Sequence, residues 1–374
     1  NRQLLRAYLL FSILKYRFLV KTLSSIALFF SRFKSPFNPL IKITLFDHFC
    51  GGTTLKSCWK KIEQMKSHNV HSILDFSVEA HQTEKHFEDS VKKKLLLINA
   101  IKNKDAIPFS VFKPTCLGRY NLFKKKSTNI KLSPTELIEW DKIIDRFEQV
   151  CSESVKQNIR VLIDAEEKEV QGAIDELALK MMEKYNHTDV FVYNTVQMYR
   201  HDRLVYLKNL IKQKKETYIL GVKLVRGAYM EKERIIAKKN KTQSPICRNK
   251  KETDNNYDLA IDFLFDNLNK VNFFIATHNE KSTLKVIELM KKYKLEKSDN
   301  KIWFGQLYGM SDQITFNLAE KGYNVAKIVP FGPINNLIPY LIRRAQENSS
   351  VVGQSNRELL LIKAERKRRK ENNA

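Results

Sequence analysis

Eight short apolar runs, each followed by a stretch of helical character, constrain this chain more than any other feature. They are Asn69–Phe76, Pro108–Thr115, Ile159–Ala165, Asp189–Gln197, Tyr218–Gly227, Asn272–Asn279, Lys301–Gly309 and Val325–Gly332. Each is rich in Val, Ile or Phe, and most end in polar residues or glycine. Between them apolar positions recur with the 3.6-residue period, as in Pro134–Lys156, Ile174–Tyr185, Asp258–Lys270 and Leu284–Tyr293. Strand then helix, repeated, gives parallel strands, because parallel neighbours need a crossover rather than a tight turn. Eight repeats predict an α/β fold closed into a (β/α)8 barrel, with an open doubly wound sheet as the alternative. The 374 residues, 43% of them hydrophobic, suffice for one large domain of barrel size or two ordinary ones. The polar stretch 239–256 reads as a long loop.

A barrel of this kind keeps its chemistry at the C-terminal ends of its strands. Those ends carry Asp75 and Glu79, Lys113, Asp164 with Glu166 and Glu167, Gln197, Lys223 with Arg226, Thr277-His278-Asn279, Gln306 and Lys327. A structural barrel has no need of charge on so many strands. Several cations with an acid and an amide suit an anionic substrate or a phosphate-bearing cofactor. In Lys223-Leu-Val-Arg226-Gly227-Ala228, the small residues Gly227 and Ala228 would admit a flat ligand close to the backbone. A cation there would stabilise a reduced flavin, although a strand end with a snorkelling lysine fits equally. His278 suits either a satisfied rim histidine or a ligand contact. Near the C-terminus Tyr340, Arg343, Arg344 and Glu347 fall at i, i+3, i+4 and i+7, one face of a helix. Two adjacent guanidinium forks read as a carboxylate or phosphate clamp, or as a solvated face with an Arg–Glu pair.

Other chemistries lack their motifs. There is no GxGxxG, no GxxxxGK[ST] and no GxSxG. His81 and His86 stand five apart, the wrong spacing for a helical metal pair. The five cysteines are widely spaced with no CxxC, which argues for reduced thiols rather than a disulfide framework or a zinc site. The net charge of +25 raises nucleic acid or an anionic membrane as partner. The lysines are scattered without interleaved aromatics, which argues against nucleic acid. Two segments stand out. Residues 1–46 hold eight Lys or Arg and no acid, and the tail carries Arg366-Lys-Arg-Arg-Lys370. Residues 4–30 are apolar but interrupted by Arg6, Lys15, Arg17 and Lys21, against a spanning helix. An import-signal remnant, a membrane-surface helix and helices packed on the catalytic part all fit. The chain starts at Asn1 rather than Met, and a fragment is expected.

Taken together, Ile73–Glu79, Lys113 with Leu117-Gly-Arg119, Asp164-Ala-Glu166, Asn194–Gln197, Lys223–Tyr229, Thr277–Glu280, Phe304–Met310 with Asp312-Gln313, Val329–Pro333 and Tyr340–Ser350 resemble the eukaryotic, mitochondrial-type proline dehydrogenases, in family order. The resemblance runs from roughly residue 40 to 355. It implies a distorted (β/α)8 TIM-like barrel with an N-terminal helical arm, binding FAD non-covalently at the strand C-termini. It implies oxidation of L-proline to Δ1-pyrroline-5-carboxylate by hydride transfer from C5 to flavin N5, with electrons passed to a membrane quinone. It also implies a mitochondrial location at the inner membrane or its matrix side. By the same resemblance Arg343 and Arg344 clamp the substrate carboxylate. Lys113 and Tyr340 line the pocket, Leu307 is an apolar wall, and Glu79 pairs with a substrate-binding arginine as a gate. Asp164 orients the flavin and the pocket charges. Gln197, Lys223, Arg226, Gly227, Ala228, Thr277, His278, Asn279, Arg344 and Glu347 are the expected flavin contacts. The expected division is an arm at 1–60, the barrel at 61–355 and a basic tail at 356–374, with the arm and tail on a peripheral anionic membrane surface.

One position departs from the family. Proline-specific members carry Tyr before the Val-Pro-Phe-Gly motif, and members acting on 4-hydroxyproline carry Ser. Here it is Ile328. Isoleucine offers a 4-hydroxyl no hydrogen bond, which favours proline, with hydroxyproline as the alternative substrate. A nucleic-acid-binding protein and an inactive membrane-associated relative are rival readings. The ordered strand-end charges weigh against the first. Retention of Lys113, Asp164, Arg343, Arg344 and Glu347 weighs against the second.

Overall fold

The structure is a computed structural model and describes residues 2–14, 16, 18, 20, 42–77, 82–350 and 354–371. The side chains of 2, 3, 14, 42, 43, 347–350 and 354–358 lie outside that description. Eight parallel strands close into a barrel in sequence order. They are β1 His71–Phe76, β2 Phe109–Phe112, β3 Arg160–Ile163, β4 Val192–Gln197, β5 Leu220–Val225, β6 Val271–Ala276, β7 Ile302–Leu307 and β8 Val325–Phe331. Each apolar run of the sequence holds one strand, trimmed at its ends, and β6 begins one residue early at Val271.

The strands are buried on both faces, which is why they read as continuous apolar runs rather than alternating ones. Inside the barrel Ile73, Phe109, Val111, Leu162, Tyr193, Phe274, Trp303 and Ala326 pack together. The outward-facing residues, such as Val161, Val222, Phe273 and Phe304, pack with the surrounding helices. Each fully buried side chain of this kind stabilises the fold by about 1.5–3 kcal/mol. Phe109 sits edge-on to Tyr193, Phe274 and Trp303, with centroids 5.8, 5.3 and 5.0 Å away. These rings fill the end where the strands begin, so the barrel opens only at their C-terminal ends. Phe274 lies so close to Gly305 that a Cβ there would stand 2.1 Å from the ring.

The helix Pro134–Lys156 matches the sequence reading at both ends. Ser133 accepts from Glu136 N in a capping box, with Pro134 in the first turn. The loop expected over 239–256 is shorter. Residues 250–256 belong to the helix Lys250–Phe265, started by Asn249, whose side chain accepts from Glu252 N. The polar composition of those first two turns conceals the helical period.

A second core joins the helix Arg2–Leu14 and the turns at 42–49 to the helix Ile334–Ser350. Leu10, Phe11, Phe46, Phe49, Met310, Leu337 and Leu341 are among its buried members. The helix Gln354–Glu371 lies along Arg2–Leu14, with the Arg366 guanidinium 4.3 Å from the Tyr8 ring. On the other side of Arg2–Leu14, Leu5, Leu9 and Ile13 are about half exposed, and Leu360 and Leu361 are exposed on the neighbouring helix. No helix among the described residues is long and apolar enough to cross a membrane.

Candidate active site

A cavity of about 1410 Å³ opens at the C-terminal ends of the strands. Its charged centre is Asp164, one residue beyond β3, whose amide continues the ladder to Phe112 O at 3.0 Å. Lys113, one residue beyond β2, donates to Asp164 Oδ2 at 2.8 Å, and Lys223 of β5 donates to Oδ1 at 2.7 Å. Asp75 Oδ2 stands 3.9 Å from Lys113 Nζ. Burial pushes the Asp164 carboxyl upward, but the two ammonium groups outweigh it and hold the group well below the usual carboxylate range. For Lys113, burial pulls downward and Asp164 and Asp75 win, leaving it well above 10.5. Asp164 and Lys113 are therefore both charged at neutral pH.

The β5 end supplies a second feature. Arg226 donates to Asp254 at 2.8 Å, Thr277 Oγ1 at 2.6 Å and Ser282 Oγ at 3.0 Å, and lies 4.3 Å from the Tyr257 ring centroid. That many partners fix its position on the cavity wall. Gly227 follows with φ +134°, a conformation disfavoured for any residue with a Cβ, and a Cβ there would meet the Tyr199 ring at 2.5 Å. Gly227 and Ala228 are exposed to the cavity. Gln197, the last residue of β4, donates through Nε2 to Glu166 O at 3.0 Å, while its buried Oε1 has no hydrogen-bond partner.

Thr277 and Asn279 follow β6, and Asn279 caps the helix Glu280–Lys292 by accepting from Ser282 N. His278 Nδ1 lies 3.0 Å from Ser311 Oγ. Burial, then Lys327, Arg344 and Arg226, push the imidazole down to about 3, so it is neutral at pH 7 and meets a ligand as a dipole rather than a cation. It favours the fold above an ordinary histidine's pKa of 6.5. That contribution falls away as pH drops from about 6.5 toward 3.

The helix Ile334–Ser350 forms another wall. Leu337, Leu341 and Ala345 recur every four residues and face the second core. Tyr340, Arg343 and Arg344 line the cavity. Arg344 is only 7% exposed, with its guanidinium 5.1 Å from the Tyr340 ring centroid. Leu307 and Ile328 are register partners on β7 and β8, and both reach the cavity.

The structure thus brings Lys113, Asp164, Gln197, Lys223, Arg226, Gly227, Ala228, Thr277, His278, Asn279, Leu307, Ile328, Tyr340, Arg343 and Arg344 to one cavity. Glu79 and the Glu347 side chain lie outside the described residues. Three charges expected at strand ends turn away from it, and Lys327 stands third of seven residues in β8 rather than at its end. Glu166 grips Thr115 N at 2.8 Å and Oγ1 at 2.7 Å. Glu167 pairs with Lys232. Lys327 is spent on Met310 O and Asp312, each at 2.7 Å, bracing the segment after β7. Conversely, the reading of strand ends missed Ser311 and Lys94. Lys94 lies in the run Lys92-Lys93-Lys94 of the helix Glu84–Ile101, where composition alone signals a solvated face.

A closed parallel barrel whose open end holds a carboxylate between two lysines, on one cavity with an arginine-bearing helix, defines an enzyme of the (β/α)8-barrel class. The proline dehydrogenase family model matches residues 58–357. The chain belongs to the proline dehydrogenase family, whose enzymes are oxidoreductases. It is similar to carbapenem antibiotics biosynthesis protein CarD of Pectobacterium carotovorum, 31% identical over 323 residues, which covers 86% of this chain and 83% of that one. Proline dehydrogenase 1, mitochondrial, of Dictyostelium discoideum is 30% identical, covering 89% of this chain and 66% of that one. A hydroxyproline dehydrogenase of Xenopus laevis is 35% identical over 60% of this chain and 50% of its own. Among solved structures, proline utilization A from Bdellovibrio bacteriovorus shares the fold with a TM-score of 0.73 at 22% identity, over 82% of this chain and 33% of that one. The chain therefore spans about a third of that structure and 50–83% of these relatives.

Proposed function

We propose that this protein oxidises L-proline to Δ1-pyrroline-5-carboxylate, using non-covalent FAD and passing electrons to a membrane quinone. The observation that carries this reading is the placement of the Lys113–Asp164–Lys223 centre and the Arg343–Arg344 pair on one cavity. Family membership and the mitochondrial relative support the activity and a mitochondrial location, at the inner membrane or its matrix side.

The residues fit a flavin. The orphaned Gln197 Oε1 calls for an N–H donor, and Gly227 and Ala228 leave an uncovered strip of backbone beside Arg226 and Lys223. Gln197, Lys223, Arg226, Gly227, Ala228, Thr277, His278, Asn279 and Arg344 would hold it. The bound cofactor would supply the two-electron acceptor that no protein side chain provides. The chain's own residues do the rest. Arg343 and Arg344 grip the carboxylate, Tyr340, Leu307 and Ile328 pack on the ring and exclude water, and Asp164 fixes Lys113 and Lys223. Positioning in a dry pocket is the protein's main contribution. Purified protein should be yellow and should bleach on anaerobic addition of L-proline. A yellow preparation that stays oxidised, or a colourless one after expression with ample flavin, overturns the reading.

Ile328 bears on the choice between proline and 4-hydroxyproline. Ile328→Ser should move the ratio of kcat/KM toward trans-4-hydroxy-L-proline, and Ile328→Tyr toward L-proline, each by roughly 10–200-fold, the range for a size change in an apolar pocket. A ratio unchanged in both variants would place Ile328 away from the substrate ring. A wild type that prefers hydroxyproline would reverse the substrate and keep the chemistry.

The division into arm, barrel and tail assigns the ends to membrane contact. Exposed Leu5, Leu9 and Ile13, beside the basic helix Gln354–Glu371, suit the interface of an anionic bilayer. Flotation with cardiolipin-containing vesicles should be strong at low salt and lost in Leu5→Ser/Leu9→Ser/Ile13→Ser. Equal flotation of that variant counts against the surface.

A further inference from the structure

The wall of the barrel is not continuous around the site. β1 pairs with β8 over six residues but with β2 over only two, Ile73 with Phe109 and Leu74 with Ser110. Past that point β1 stays with β8, and Ser77 N donates to Phe331 O at 2.9 Å. The Val111 carbonyl therefore leaves the ladder, and a buried carbonyl needs a donor. Lys94 supplies it. This lysine belongs to the helix Glu84–Ile101 outside the barrel, yet its ammonium reaches the β1–β2 gap, donates to Val111 O and lines the cavity.

In that gap Lys94 shares the cavity wall with Asp75 of β1, Cys116 and Lys113 beyond β2, and Asp164 beyond β3. Lys113 in turn stands between Asp164 at 2.8 Å and Asp75 at 3.9 Å. Around Lys113, then, two further lysines (Lys94, Lys223) and two aspartates (Asp75, Asp164) gather, while Glu166 is turned to Thr115. Of these three lysines Lys94 is the one contributed from outside the barrel. The burial that depresses the Lys94 pKa is opposed by Asp75 and Asp164.

We propose that Lys94 is a positioning residue for substrate binding: it serves as counter-ion to Asp75 through the β1–β2 gap, leaving Lys113 to Asp164 and the pocket with a net positive charge for a small ring carboxylate. The proposal rests on the proline reading above. It assigns Lys94 no contact with the reacting atoms, and its influence is felt through the charge on the ligand.

The test compares two unreactive rings of nearly equal size, tetrahydrofuran-2-carboxylate and the uncharged tetrahydrofurfuryl alcohol. Their affinity for the flavin-loaded full chain is measured by calorimetry and by the change in flavin absorbance. In Lys94→Met, which keeps the stem and removes the charge, the carboxylate should bind ~10–30-fold more weakly, the scale for one charge acting over roughly 8 Å at an effective dielectric constant near 20. The alcohol should change by less than ~2-fold, since it carries no charge to respond. Lys94→Arg should restore carboxylate binding. Equal weakening of both ligands would reveal a packing role and overturn the proposal, as would no change in either. Lys94→Gln repeats the comparison if Lys94→Met loses flavin. A wild type that binds neither ring removes the proline reading itself, an outcome distinct from wild-type binding that Lys94→Met leaves unaltered.

Discussion

Arg344→Met is expected to raise the proline KM and to lower kcat/KM by roughly 10–150-fold, because a charge-assisted hydrogen bond to a carboxylate is worth about 1.5–3 kcal/mol. Arg343→Met should act in the same direction. The buried residue should have the larger effect, since Arg344 is 7% exposed and Arg343 is open to the cavity mouth. Methionine matches most of the stem's volume, so the Tyr340 contact is partly kept. Lysine should rescue Arg344 poorly, since an ammonium cannot reproduce the planar fork. Near-normal steady-state kinetics in both methionine variants would show that the pair serves the helix surface and not the ligand.

Asp164→Asn should have the second large effect, on both stability and pH behaviour. The wild-type carboxylate accepts from Lys113 and Lys223, whose side chains are 36% and 6% exposed. Removing one partner of a buried pair strands the other charge at a cost of about 3–5 kcal/mol, and the opening of Lys113 to the cavity discounts this to about 2–3 kcal/mol. Thermal unfolding should show the loss as a lower Tm. Asp164 lies below the usual carboxylate range when folded, so its contribution is full above that range and disappears only as pH falls through the folded value. Lys113 lies above 10.5 when folded, so its contribution is full below 10.5 and is lost as pH rises beyond the folded value. With asparagine at 164 the Lys113 ammonium loses its main support, and its pKa should drop. Activity in the variant should then decline at lower alkaline pH than in the wild type. A Tm and an alkaline limb identical to wild type would mean that the pair is dispensable.

The barrel was legible because each strand is buried on both faces and so appears as an apolar run whatever its neighbours. The position of Asp164 and Lys113 just past strand ends, and of Lys223 in the last half of β5, followed from the same runs, since chain direction fixes which end is the open one. The rule failed where a strand-end charge had a partner closer than the cavity. Glu166 turns to Thr115 and Lys327 to Met310 and Asp312, and the sequence carries no trace of those pairings. It failed again at the helix Lys250–Phe265, where the first turns are polar and only the Asn249 cap marks the start.

Local patterning determined the number and order of the strands, the barrel and the set of residues competing for its open end, because burial and chain direction leave their mark on short stretches of sequence. Which of those residues share a pocket was decided by the tertiary structure. So was the presence of Lys94 there, brought by an outer helix into a gap left by uneven pairing of β1 with β2. Charge pairing acts across tens to hundreds of residues of chain, and a lysine in a run of lysines looks the same in sequence whether it meets water or a carboxylate.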